Sequence, residues 1–365
     1  MSTQQDIPKQ QKVEKKTLIL LGLGIVVLVL IVKLVGTSEI VPVLADMDYQ
    51  YIVLIISFQA LMLGTWNLRW NLFVNKLHPV NYFSILPIFM AGLLINNLTP
   101  GPSLGGQPIT AYYLAKKTKK AFSECFATLV LDMSMHSLAF ISFALFSIAY
   151  VFLFIPIHAI RVFIEILVLI ILVIIGVAII FWRFRNQKMQ SNVDWFLKRV
   201  YRLKILSRFM ARFTSYADLK EYIHEQFRNL KKTVKNLFKV KKLVGVTFVL
   251  ALFLHMFEYL KVHTVFVSLG YAIPFTHVVV VTTIGSIIGY FIFLPGGTGA
   301  VEASMIAMYF ELGIPLGVAA TATLLSRLFF YSATYGFGYI SLSYLNLKDS
   351  KEEGTELVDN PSLME

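Results

Sequence analysis

The sequence predicts an all-α polytopic membrane protein made of inverted repeats, with two re-entrant hairpins broken by Gly and Pro. Three observations predict this. Of 365 residues, 57% are hydrophobic and 15% charged, whereas soluble domains carry about 25% charge. Several apolar stretches exceed the roughly 18 residues that a crossing helix needs. Two of the long stretches are interrupted, at Asn96-Asn97-Leu98-Thr99-Pro100-Gly101-Pro102-Ser103-Leu104-Gly105-Gly106 and at Leu294-Pro295-Gly296-Gly297-Thr298-Gly299-Ala300-Val301-Glu302. Irregular backbone at membrane depth is tolerated only where protein buries it or where it lines a wet cavity, so paired breaks in two halves of a chain mark a solute path.

In chain order, residues 1–16 form a basic arm with Lys9, Lys12, Lys15 and Lys16. The stretch Thr17–Val35 that follows is too long for a signal peptide and lacks a small-residue cleavage site, so it is expected to stay as a first span. Further apolar stretches are Tyr49–Phe73, Tyr82–Leu98, Ser103–Ala115, Phe122–Val151, Ile157–Trp182, Leu243–Gly270, Phe275–Leu294, Ala300–Leu312 and Pro315–Leu345. At a rise of about 1.5 Å per residue, Ser103–Ala115 and Ala300–Leu312 are too short to cross. Both follow directly on the breaks.

Basic residues mark the cytoplasmic side of short connections. They gather in the N-terminal arm, at Lys76, at Lys116-Lys117-Thr118-Lys119-Lys120 and throughout Arg183–Lys242, while Glu39, Asp46 and Asp48 fall to the other side. This pattern closes if Tyr82–Ala115 enters from the cytoplasm and returns to it and Phe275–Leu312 does the same from outside. The result is six full spans plus two hairpins, with both termini cytoplasmic, in the cell membrane; eight ordinary kinked spans is the alternative. The chain divides into the arm, a first transmembrane repeat over 17–151, a linking span of the second repeat over 152–182, a basic loop over 183–242, the remainder of the second repeat over 243–345 and an acidic tail over 346–365, expected to be disordered.

The basic loop holds seventeen Lys or Arg against Asp194, Asp218, Glu221 and Glu225. Aromatic and aliphatic residues recur among its charges, a pattern that fits amphipathic helices on an anionic leaflet better than a nucleic-acid site. Membrane lipids with anionic head groups are therefore the expected partners, and the sequence is compatible with a homo-oligomer.

At each break Pro ends the incoming helix and Gly permits the turn, after which a new helix begins with free amides that suit an anion such as phosphate. Glu302 lies in the first turn of the second such helix and Arg327 deep in the last span. A charge at bilayer depth costs at least about 2.5 kcal/mol, so each is expected to face a partner, and the two form the first candidate pair. Asp132 and His136 share a helix face as a candidate proton relay, and Glu258 and Lys261 as a self-neutralising pair, flanked by His255 and His263. Asn67, Arg69 and Asn71, with Trp66 and Trp70, read as an interfacial anchor. Arg161 and Glu165 read as a boundary salt bridge. Histidines are dispersed and Cys125 is the single cysteine, so neither metal nor cofactor is expected, and no enzyme constellation appears.

The runs N-N-L-T-P-G-P-S-L-G-G-Q-P-I-T-A-Y-Y-L, F-L-P-G-G-T-G-A-V-E-A-S-M-I-A-M-Y and L-L-S-R-L-F-F-Y-S-A-T-Y-G-F-G, with W-N-L-R-W-N-L at Trp66–Leu72, resemble the flippase-like family related to the transmembrane region of lysylphosphatidylglycerol synthase. The resemblance implies a lipid flippase that moves an anionic or polyprenyl-phosphate-linked lipid between leaflets. It marks Asn97, Pro100, Gly101, Gly105, Gly106 and Gln107 in the first hairpin and Pro295, Gly296, Gly297, Gly299 and Glu302 in the second, with Arg327 on the last span. The chain departs from the family pattern at Gln107, Thr110 and Met133, where charged residues are usual, and with no stretch resembling the soluble aminoacyl-transferase domain in these 365 residues it is not expected to synthesise lysylphosphatidylglycerol. A proton-coupled carrier of a small anion and a non-transporting platform with a lipid-binding loop are the alternatives.

Overall fold

The computed structural model describes residues 36–99, 105–155, 216–291 and 298–359, together with the isolated positions Lys33, Val162 and Glu165. The expected spans Thr17–Val35 and Ile157–Trp182, and the expected Arg161–Glu165 bridge, fall outside these segments. Among the described residues there are ten helices and no strand: α1 Thr37–Ala45, α2 Tyr51–Leu77, α3 Tyr82–Leu98, α4 Gly106–Thr118, α5 Phe122–Phe154, α6 Tyr216–Phe238, α7 Lys241–Ser268, α8 Phe275–Phe291, α9 Ala300–Glu311 and α10 Leu316–Asp359. Four of them, α2, α5, α7 and the Leu316–Lys348 part of α10, are long and apolar enough to cross a membrane.

Local chemistry sets the helix ends. The Asn81 side chain accepts the N–H of Phe83 and starts α3. Thr99 then takes extended backbone (φ −92, ψ 139) because it precedes Pro100, which disfavours helical geometry in the residue before it. α4 ends at Lys119, a left-handed residue with φ 58, with Lys116 and Lys117 in its last turn, where cations suit the helix dipole. α9 starts from Gly299 at φ 92, a conformation that favours glycine. α10 runs through Asp359, and the Lys/Glu-rich sequence at its end is good helix-forming composition.

The helices α2 and α7 lie antiparallel along the centre. The N–H of Asp48 donates to Ser268 O at 2.7 Å, Lys261 Nζ donates to Gln59 Oε1 at 2.9 Å, and Leu254 packs in one cluster with Met62, Leu63 and Trp70. α3 and α4 form an antiparallel hairpin whose backbones nearly touch: a Cβ on Gly106 would run into Gly92 O and the Asn96 side chain. α8 and α9 form a second one, with Gly285 against Met305 and Gly289 against Val301. The first hairpin stands at the end of the bundle where α2 finishes and α5 begins. There Asn67 and Asn71 donate to the carbonyls of Tyr82 and Val80. The second stands at the opposite end, where Thr276 donates to the hydroxyl of Tyr150 at 3.0 Å.

Each hairpin leans on a long helix of the other half. α3 packs on α10, with Leu94 against Gly338, and α8 packs on α5, with Tyr290 and Phe140 ring centroids 5.4 Å apart. Phe140 lies near the middle of α5, and Tyr335, beside the last residue of α3, near the middle of Leu316–Lys348.

Candidate functional site

The ends of both hairpins come to neighbouring turns of α10. Leu98, the last residue of α3, lines a groove with Tyr335. Thr298, just before α9, lies with its hydroxyl 3.2 Å from that of Tyr331. The Tyr331 and Tyr335 rings stack with centroids 5.6 Å apart and an interplanar angle of 7°.

Glu302 is the centre of this region and is fully buried. Its Oε1 lies 3.3 Å from Arg327 Nε and accepts from the Tyr331 hydroxyl at 3.4 Å. Its Oε2 accepts the N–H of Gly299 at 2.5 Å, the return half of a capping box. The structure thus brings Glu302 and Arg327 together. Beside Arg327, one turn before Tyr331 on α10, a small cavity with room for about one water is lined by Glu258, Lys261, Thr282, Met305, Ser326 and Arg327.

The amides expected to be free are partly occupied. In α4 the Gly106 N–H donates to Asn96 Oδ1 at 2.7 Å, and in α9 the Glu302 carboxylate takes the Gly299 N–H. Helix starts buried in a bundle recruit nearby side chains because an unmatched N–H is costly there. Gly105 precedes α4, and a Cβ on it would meet the Thr99 side chain. Gln107 is half-buried, and the Asn97 Nδ2 atom is buried without a partner. Thr110 is buried against Gly92 and donates to Gly106 O at 2.9 Å, so a long charged side chain has no room there. Pro100, Gly101, Pro295, Gly296 and Gly297 lie outside the described residues.

One further expectation is corrected, and two helix-face pairs are given other direct partners. Arg69 and Asn67 are fully buried and Trp70 is 1% exposed. α2 runs on past Phe73 to Leu77, so these residues lie inside the bundle and do not form an interfacial anchor. Arg69 binds Asp132 through two contacts, Nε to Oδ1 at 2.6 Å and Nη2 to Oδ2 at 3.0 Å, while Trp66 Nε1 reaches Oδ2 at 3.3 Å. Asp132 is therefore matched across helices, because a bidentate guanidinium contact is stronger than one to a helix neighbour. His136 instead stacks between Trp66, at 5.3 Å, and His255, at 4.8 Å. Glu258 and Lys261 face one small cavity but each has another direct partner: Lys261 holds Gln59, and Glu258 lies 3.7 Å from His255 Nδ1.

The model of the family described as "Lysylphosphatidylglycerol synthase TM region" matches residues 18–338. The chain belongs to this family. Among its relatives are a UPF0104 membrane protein of Methanothermobacter thermautotrophicus, 24% identical over 92% of this chain and 98% of the relative, and UPF0104 membrane protein MJ1595 of Methanocaldococcus jannaschii, 28% identical over 94% and 98%. UPF0104 membrane protein PH1989 of Pyrococcus horikoshii is 25% identical over 86% of this chain and 92% of the relative. Family membership and the four long apolar helices make it a multi-pass integral membrane protein.

Proposed function

We propose that this family member is a flippase-like transporter that moves an anionic phospholipid or a polyprenyl-phosphate-linked lipid between leaflets, in a cell membrane and with both termini cytoplasmic. The observation that carries the proposal is the meeting of both hairpin ends on neighbouring turns of α10, beside a buried Glu302–Arg327 pair. Equivalent helices of the two halves make equivalent contacts: α3 on α10 and α8 on α5, α4 on α5 and α9 on α10, with α2 antiparallel to α7 between them. That pattern supports inverted repeats, and hairpin ends level with the middles of α5 and α10 support re-entrance.

In this mechanism Glu302 is a resident anion. It occupies Gly299 N–H and one face of Arg327, and an incoming head-group phosphate takes over Arg327, with Lys261 across the small cavity as second cation. Partial occupation of the hairpin amides leaves charge matching to these side chains. Glu302 stays in the site when the phosphate enters, so binding adds the full negative charge of the phosphate beside Glu302 and Glu258, and Arg327 and Lys261 are the cations left to offset it.

The test is a leaflet-accessibility assay with fluorescent anionic and polyprenyl-phosphate lipids in proteoliposomes, comparing wild type with Glu302→Gln and Arg327→Gln. Translocation by wild type that both substitutions abolish is the expected result. No translocation by a folded wild type overturns the proposal and turns attention to uptake of a soluble anion.

A further inference from the structure

Beside the polar cluster runs an apolar groove of about 640 Å³ lined by Leu94 and Leu98 of α3 and by Tyr335, Gly336, Tyr339 and Ile340 of α10. Its size falls within the range of small-ligand sites. One end is walled by Tyr335, whose other neighbour is Tyr331, the residue that touches Thr298 and Glu302. The groove therefore ends one turn of α10 from the place where the head-group phosphate is proposed to sit, with the stacked Tyr331 and Tyr335 rings between them.

Two glycines on the same helix separate packing from open space. A Cβ on Gly338 would come within 2.7 Å of Leu94 Cβ and 3.0 Å of Met90 O, so its small size is what lets α10 approach α3. A Cβ on Gly336 would meet nothing within 4 Å, and its φ is not positive. Glycine weakens a helix interior, yet neither packing nor backbone conformation requires it at position 336. What it leaves is room along the groove.

We infer that this groove seats one hydrocarbon chain of the translocated lipid, running along α10 from Ile340 to Tyr335 with its head group at Tyr331, Glu302 and Arg327. The inference rests on the lipid-translocation reading for the head group, whereas the chain seat follows from the groove itself. A chain lying there replaces lipid contacts with protein contacts at little energetic difference, because bilayer tails are as apolar as the lining. Selection then comes from shape: a single chain fits between α3 and α10.

The experiment uses full-length protein in proteoliposomes containing phosphatidylglycerol with a diazirine midway along one acyl chain, photolysed and mapped by mass spectrometry. Labelling of Leu94, Leu98 and the Tyr335–Ile340 turn is expected to exceed, several-fold, that of the exposed lipid-facing residues Leu61, Leu145 and Phe253. Gly336→Trp, and to a smaller degree Gly336→Leu, is expected to remove the excess while thermal stability stays at or above the wild-type value, since a Cβ there meets nothing within 4 Å and glycine weakens a helix interior. Equal labelling of groove and control residues, or an excess that persists in folded Gly336→Trp, overturns the inference. Translocation is measured on the same samples. Gly336-sensitive labelling in a protein that moves no lipid supports the seat and overturns the translocation reading. Translocation unchanged by Gly336→Trp overturns the seat as part of the transport path and leaves that reading standing.

Discussion

Glu302 joins Arg327 to Gly299: one carboxylate oxygen lies 3.3 Å from the guanidinium of α10 and the other accepts the amide that opens α9. The buried carboxylate is fixed at both oxygens, so removing its charge leaves Arg327 mostly enclosed, at 19% side-chain exposure, without its counter-ion. Breaking a buried pair from one side costs about 3–5 kcal/mol, whereas replacing both partners is often near neutral.

Glu302→Gln alone is therefore expected to lower the unfolding temperature in detergent, and the double variant Glu302→Gln with Arg327→Met to recover most of that loss. Translocation is expected to stay absent in both. A double variant that moves lipid at the wild-type rate would make the pair a structural clamp.

The Arg69–Asp132 pair makes the opposite prediction. It is buried on both sides, bidentate and braced by Trp66, and it ties α2 to α5 away from the hairpin ends. Asp132→Asn or Arg69→Ala is expected to cost on the order of 3–5 kcal/mol, read as lost monodisperse protein on size exclusion and a lower melting temperature. Any folded fraction is expected to retain translocation per molecule.

The two breaks were legible because Gly and Pro act locally: Thr99 is extended because Pro100 follows, and Gly299 has positive φ just where a new helix starts. The Glu302–Arg327 pair was legible too, since each charge needed a partner at depth. Cross-helix matches were not. Arg69 and Asp132 are 63 residues apart, and an Arg between two Trp residues near an expected span end looks like an anchor until α2 is seen to continue to Leu77. Likewise Lys261 found Gln59, 202 residues away, in place of Glu258 on its own helix. Local pairing rules apply to exposed helix faces, and inside a bundle the neighbour is set by tertiary packing.

Gly106 and Gly245 separate close packing from mere helix composition. A side chain at Gly106 collides with Gly92 O, whereas a Cβ at Gly245 meets nothing within 4 Å. Gly106→Val is expected to cost about 1–3 kcal/mol or more through overpacking of α3 against α4. Gly245→Ala is expected to leave stability unchanged or raise it by up to about 1 kcal/mol through helix propensity. Thermal unfolding of the two purified variants reads both.

Depth of the first hairpin is decided at its end, because a re-entrant hairpin and two complete spans both return the chain to the same side. The single native cysteine, Cys125, is buried at 1% exposure, so background reaction with a membrane-impermeant maleimide is expected to be low. Lys119→Cys, at the foot beyond α4, is expected to react from the side that also reaches Lys76→Cys. Thr99→Cys sits just past α3, which at 17 residues spans about 25 Å, and the preceding Leu98 shares the groove with residues near the middle of α10. It is expected to resist the reagent from the far side of sealed vesicles and to react after detergent is added. Prompt reaction from the far side would mean that α3 crosses completely and that Tyr82–Ala115 is not re-entrant.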